Sequence, residues 1–124
     1  VISILKPVFI TSLAALFFSS TACAASKRAD EQAGANLFRD KGCAFCHGVG
    51  GVGGKRAPAL LDLRKNKLWP PEKITGQILD GGQKMPPFRD SLTDQEVAQL
   101  VSYLRAKKRP APAPAPTPAP PPAQ

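Results

Sequence analysis

The sequence predicts a small all-α domain of three to four helices, and three observations carry that expectation. Residues 93–104 join a capping box to an apolar stripe of helical period. No segment ahead of Cys43 alternates as a strand does. The foldable stretch is also short. Of 124 residues, 1–25 are small and apolar with one charge, Lys6, and the last fifteen hold eight prolines and no charge. Residues 26–109 remain, about 84 in all. A chain of that length is marginal without a staple and too short for large nucleotide-binding folds or barrels.

Each element has a local reason. The first helix is expected over 30–40, with Asp30 and Glu31 at its positive end, Arg39 and Lys41 at its negative end, and Gly42 as its stop. Residues 48–54 hold five glycines in seven positions and read as a loop. A phosphate loop would need a preceding strand and a Lys-Ser or Lys-Thr, and neither is there. Trp69-Pro70-Pro71 opens the next helix, with Ile74 and Ile78 on its apolar side and Asp80-Gly81 at its end. Thr93-Asp94-Gln95-Glu96 is the capping box of the last, with Leu92 available as a staple onto Val97. Val97, Leu100, Val101 and Leu104 form its stripe, and Tyr103 beside them is the expected contact for the first helix. From Pro110 the chain alternates proline with alanine and threonine, which predicts a stiff, solvated tail over 110–124.

The N-terminal segment reads as an export signal: Lys6, an apolar run over 8–18, then small residues to Ala25. Eleven apolar residues at about 1.5 Å each reach only part of the way across a hydrocarbon layer of about 30 Å. Ala22-Cys23-Ala24 satisfies the small-x-small rule for cleavage. Thr21-Ala22-Cys23 also resembles a lipoprotein box with Ser20 where leucine is preferred, so release, a membrane tether through lipidated Cys23 and an uncleaved anchor all stay open. Each places the folded part in a periplasm or otherwise outside the cytoplasmic membrane. The first residue is Val1, as with an alternative start codon or a truncated sequence. The chain carries a formal charge of +8, and +7 without Lys6, which favours acidic partners. No nucleic-acid motif accompanies the charge, and basic residues run no longer than two before Lys107.

Cys43-Ala44-Phe45-Cys46-His47 carries the chemistry. Two thiols three positions apart can each bond to a vinyl group of one haem, with the next histidine placed to reach the iron; C-x-x-C-H is the attachment sequence of haem c. A redox dithiol would normally follow a buried strand in a thioredoxin-like unit. Structural zinc wants four ligands, whereas His47 is the chain's single histidine and only Cys23 of the leader is left over.

With that segment, Met85-Pro86 thirty-eight residues after His47, and an amphipathic closing helix, the chain resembles the small class I monohaem cytochromes c of bacteria over residues 30–107. The resemblance implies helices wrapped around one covalently attached haem, with His47 and Met85 as the axial iron ligands. Met85 is the sole methionine and lies among glycines and prolines, where no helix face would use it as filler. The resemblance further implies that the Pro58 carbonyl accepts the His47 ring hydrogen bond, that Leu60 lines the haem face, and that Gly34 and Phe38 meet the last helix. Trp69 is read as a haem wall whose ring nitrogen reaches a propionate.

The function implied is one-electron transfer by an exported carrier, not an enzyme, since an iron held on both sides has no open position and neither Lys84 nor Arg89 suits proton delivery at neutral pH. Two alternatives keep the haem: a fixed electron-entry subunit of a respiratory, photosynthetic or dehydrogenase complex, and a haem enzyme or gas sensor from which Met85 dissociates. Redox protein partners with an acidic docking surface are expected at a basic ring of Lys55, Arg56, Lys84 and Arg89.

Overall fold

The structure is a computed structural model describing residues 19–115. The segment read as the export signal, up to residue 18, and the tail beyond residue 115 lie outside the described residues. Four α-helices follow in order: α1 (Ser19–Asp40), α2 (Cys43–His47), α3 (Pro71–Asp80) and α4 (Asp94–Leu104), with a 3-10 turn at Val49–Gly51. No strand occurs among the described residues.

Helix α1 begins eleven residues before the expected start at Asp30 and is continuous across residues 25 and 26, where leader and domain were divided. No proline or glycine interrupts residues 19–33, and alanine recurs through them, so the acidic pair sits inside the helix and does not start it. Helix α2 was not anticipated: the attachment segment is itself a short helix, entered through Gly42 at φ 78°. Helix α3 starts on Pro71 and stops at Gly81, as expected. At α4 the Thr93 side chain accepts from the Glu96 backbone N–H while Glu96 Oε2 accepts from Thr93 N at 2.8 Å, closing the capping box.

Helices α1 and α4 cross at Gly34. A Cβ there would stand 2.1 Å from the Gln99 carbonyl oxygen and 2.6 Å from Tyr103 Cβ, so the backbones approach as only glycine allows. One step along, Phe38 and Tyr103 are both buried, with ring centroids 5.5 Å apart. Tyr103 is thus the contact for α1 that was expected of it, and it sits at the centre of the crossing. Leu92, Val97, Leu100, Val101 and Leu104 complete the α4 side of the core, and Leu63, Ile74 and Ile78 come from the other side.

The start of the tail is largely exposed, and it runs along α1. Gln32, Asn36 and Arg39 lie on one face of α1 and grip its backbone: Gln32 Nε2 donates to Ala111 O at 2.9 Å, Ala113 N donates to Asn36 Oδ1 at 2.8 Å, and Arg39 donates to Ala113 O. Alternating prolines leave the alanine N–H and the carbonyls available for that grip.

Candidate haem site

The attachment segment owes its geometry to α2. Positions i, i+3 and i+4 share a helix face, which turns Cys43, Cys46 and His47 the same way. Both thiols are half-buried and unpaired, and burial pushes the Cys43 thiol above its ordinary value. His47 Nδ1 lies 2.9 Å from the Pro58 carbonyl oxygen. A carbonyl only accepts, so Nδ1 carries the proton and Nε2 is left as a lone-pair donor.

The glycine-rich loop folds back to bring Pro58 to that ring. Gly53 N donates to His47 O at 2.6 Å, and Leu60 N donates to Gly51 O at 2.8 Å. The far side is built by the turn after α3. Gly81, at φ 69°, lies so close to the next residues that a Cβ would stand 2.5 Å from Met85 O. Gly82 N donates to Met85 O at 2.8 Å, and Gln77 Nε2 donates to Gly81 O at 2.7 Å. Met85 is thereby held half-buried against the core.

These segments enclose a cavity of about 720 Å³. Its lining brings together every site residue that the sequence singled out: Cys43, Cys46, His47, Pro58, Leu60, Trp69 and Met85. Leu63, Ile74, Ile78, Phe88 and Leu104 give it apolar walls. His47 and Met85 both also border a smaller void of about 30 Å³ toward the core. The residues fit a haem: the volume lies within the roughly 300–1,000 Å³ of small-molecule and cofactor sites, and the donors are two thiols, one imidazole and one thioether. Among the described residues no group of three or more His, Cys, Asp and Glu side chains is arranged to hold a metal ion directly.

The expected basic ring is only partly assembled. Arg56 and Lys84 line the cavity, with the Arg56 guanidinium 4.3 Å from the centre of the Phe45 ring, itself 72% exposed. Arg89 is turned to Asp80 in an ion pair, and Lys55 does not line the cavity. Lys41 does, a role the sequence reading missed; its Nζ donates to Ser91 O at 2.8 Å and lies 3.8 Å from Glu96. The Trp69 ring packs 4.5 Å from Lys73 Nζ, and the Trp69 carbonyl accepts from Arg105 at 3.1 Å. Arg105 also holds Leu63 O at 3.0 Å, fixing the segment that carries the Trp69 wall. Nothing in the sequence separated Arg105 and Arg109 from the other basic residues at the end of α4.

A helical frame around this cavity, opened by this attachment segment, defines a c-type haem domain. The family described as cytochrome c oxidase, cbb3-type, subunit III matches residues 29–104. The subunit FixP of a cbb3-type cytochrome c oxidase from Sinorhizobium medicae is 37% identical over 58% of this chain and 28% of its own length. Cytochrome c6 of a Nostoc species is 32% identical over 73% of this chain and 78% of its own. A Pseudomonas putida quinohemoprotein alcohol dehydrogenase, ADH IIB, is 35% identical over 62% of this chain and 11% of its own. No solved structure gives a match. The chain belongs to the cytochrome c family, as a small monohaem class I member, and the family's cofactor is covalently bound haem c. It spans about a quarter of FixP and most of cytochrome c6.

Proposed function

We propose that this chain is an exported one-electron carrier that is not itself an enzyme. The observation that carries the reading is the convergence of two thiols, one imidazole and one thioether on a single apolar cavity. Cys43 and Cys46 would hold the porphyrin covalently, and His47 and Met85 would hold its iron. When bound, the haem supplies a reversible one-electron couple that neither makes nor breaks a bond to substrate.

The chain's own residues set the conditions for that couple. Pro58 accepts the His47 Nδ1 proton, which fixes the ring and raises its basicity. Leu60 and Trp69 wall the cavity and lower its dielectric, and Met85, a soft neutral donor, favours the reduced state. Lys41, Arg56 and Lys84 lie at the cavity and suit an acidic redox partner, whose approach they would steer. The leader-like segment over residues 1–25 supports export of the folded part to the periplasm; among the described residues no helix is long and apolar enough to cross a membrane.

The second reading, a fixed electron-entry domain of a larger redox assembly, is favoured by one fact: this domain occurs as 28% of FixP and 11% of the dehydrogenase. The test of haem attachment is mass spectrometry of protein made with a haem-attachment system, expected to show one haem that survives acid-acetone extraction. Export with no covalent haem overturns both readings. Co-purification of an undiluted stoichiometric complex from its native membrane selects the second.

A further inference from the structure

Arg109 lies beyond the residues matched by the family and ahead of the proline tract, yet its guanidinium donates to three backbone carbonyls, as many as Arg105 does. Its Nη1 donates to Gly50 O at 2.6 Å, and its Nη2 donates to Leu104 O at 2.7 Å and to Leu60 O. The guanidinium is half-buried, 5.6 Å from the centre of the Tyr103 ring, and a Cβ on Gly51 would stand 2.8 Å from Nη1. Among the described residues no carboxylate forms an ion pair with it, although the Asp62 charge bears on it from further off; its acceptors are carbonyls.

Those carbonyls are not scattered. Gly50 follows His47 by three residues, and Leu60 follows Pro58 by two. One planar fork therefore grips both ends of the loop that brings Pro58 O to His47 Nδ1, and ties that loop to the last carbonyl of α4. The intervening bond from Leu60 N to Gly51 O, at 2.8 Å, closes the circuit. Only arginine presents several N–H groups in one plane; lysine at the same place is a point charge that cannot span the same carbonyls.

We propose that Arg109 is a positioning residue for the haem histidine: by clamping Gly50 and Leu60 onto α4 it holds the Pro58 carbonyl on His47 Nδ1 and so sets the basicity of the iron's ligand. This rests on His47 being that ligand, as proposed above. Residues 105–109 are then part of the redox site and not a trailing end of the helix.

The experiment compares haem-loaded wild type with Arg109→Lys, Arg109→Gln and, as a charge control, Lys108→Gln, which alters an exposed neighbour. Exchange of the His47 Nδ1 proton in the reduced protein, followed by NMR with labelled histidine, should be at least about ten-fold faster in both Arg109 variants and unchanged in Lys108→Gln. Arg109→Lys keeps the charge, so its midpoint potential should rise, because an imidazole held less firmly by Pro58 donates less to the oxidised iron. A purely structural arginine would lower the melting temperature and leave exchange and potential at wild-type values, and that result overturns the proposal. Slowed rotation and exchange of the Arg109 guanidinium protons in wild type supports it without any variant; free rotation there overturns it. Wild type lacking covalent haem overturns the functional reading as well, whereas normal haem with unaltered Arg109→Lys overturns this inference alone.

Discussion

Replacing Gly34 by alanine adds one methyl group at the closest point of the α1–α4 crossing. That methyl would be 2.1 Å from Gln99 O and 2.6 Å from Tyr103 Cβ. Comfortable separation between non-bonded heavy atoms is about 3.5–4.0 Å, so the helices must part by about 1–1.5 Å. Both obstacles belong to backbone or to a Cβ, and no side-chain rotation relieves them. Overpacking of this kind costs typically 1–3 kcal/mol, and separating α4 from α1 also loosens Phe38, Tyr103 and Leu100. Because the clash is with backbone and a Cβ, the upper end of that range, about 3 kcal/mol, applies; alanine returns about 0.5–1 kcal/mol through backbone entropy, leaving a net loss of about 2 kcal/mol. For a domain of this size each kcal/mol moves the midpoint by roughly 4–8 °C, so thermal unfolding of the haem-loaded protein should fall by about 8–16 °C. Gly76, inside α3 with nothing within 4 Å of its would-be Cβ, is the matched control, and Gly76→Ala should raise the midpoint by a few degrees. Equal shifts of the same sign at the two sites would refute the close crossing.

Met85→Ala should leave the covalent haem in place, abolish the weak long-wavelength band of the oxidised protein, lower the potential and let carbon monoxide bind the reduced form rapidly; fast stoichiometric binding by wild type would instead favour the enzyme or sensor reading. Lys84→Glu should slow oxidation by an acidic protein partner in low salt and barely affect a neutral small oxidant, and an equal loss with both would place the defect at the haem. Hydrogen bonding from the Thr93 backbone holds the Glu96 carboxyl below its ordinary value. A depressed folded value means stability present above the unfolded carboxyl value of about 4.3 and lost as pH falls through the folded one. Urea midpoints between pH 5 and 3 should therefore decline less steeply in Glu96→Gln than in wild type.

What the sequence made legible was the part written in short-range code. The capping box at Thr93 and Glu96, the stop at Gly81 and the apolar stripe of α4 are local signals, and the helices formed where those signals stand. The start of α1 was misplaced because a negative pair near residue 30 resembles a helix terminus, while an alanine-rich run without breakers simply continues the helix. The cavity residues were found through motif and resemblance, and three of them, His47, Met85 and Trp69, stand out because each is the only residue of its type in the chain. Lys41, Arg105 and Arg109 were invisible for the opposite reason. In a chain with 17 basic residues, position alone does not tell a solvated cation from one that bonds a distant carbonyl.

The distribution of packing explains why a chain this short can carry such a site. The α1–α4 crossing is close, fixed by Gly34, Phe38 and Tyr103. The other side of the core is different: Leu63, Ile74, Ile78 and Leu104 are buried, yet each also lines the 720 Å³ cavity. Those side chains have protein on one flank and the apolar cavity on the other, so whatever the cavity holds completes their packing. A flat apolar macrocycle, held through Cys43 and Cys46 as proposed, would supply the other half of that packing. Of the residues proposed to set its potential, His47 ends α2 while Pro58 and Met85 lie on loops, and carbonyls of the loop segments around the cavity are pinned by Gln77, Arg105 and Arg109. Rigid helices hold the frame while side-chain donors to loop carbonyls hold the site, so stability and redox tuning are carried by separable sets of residues.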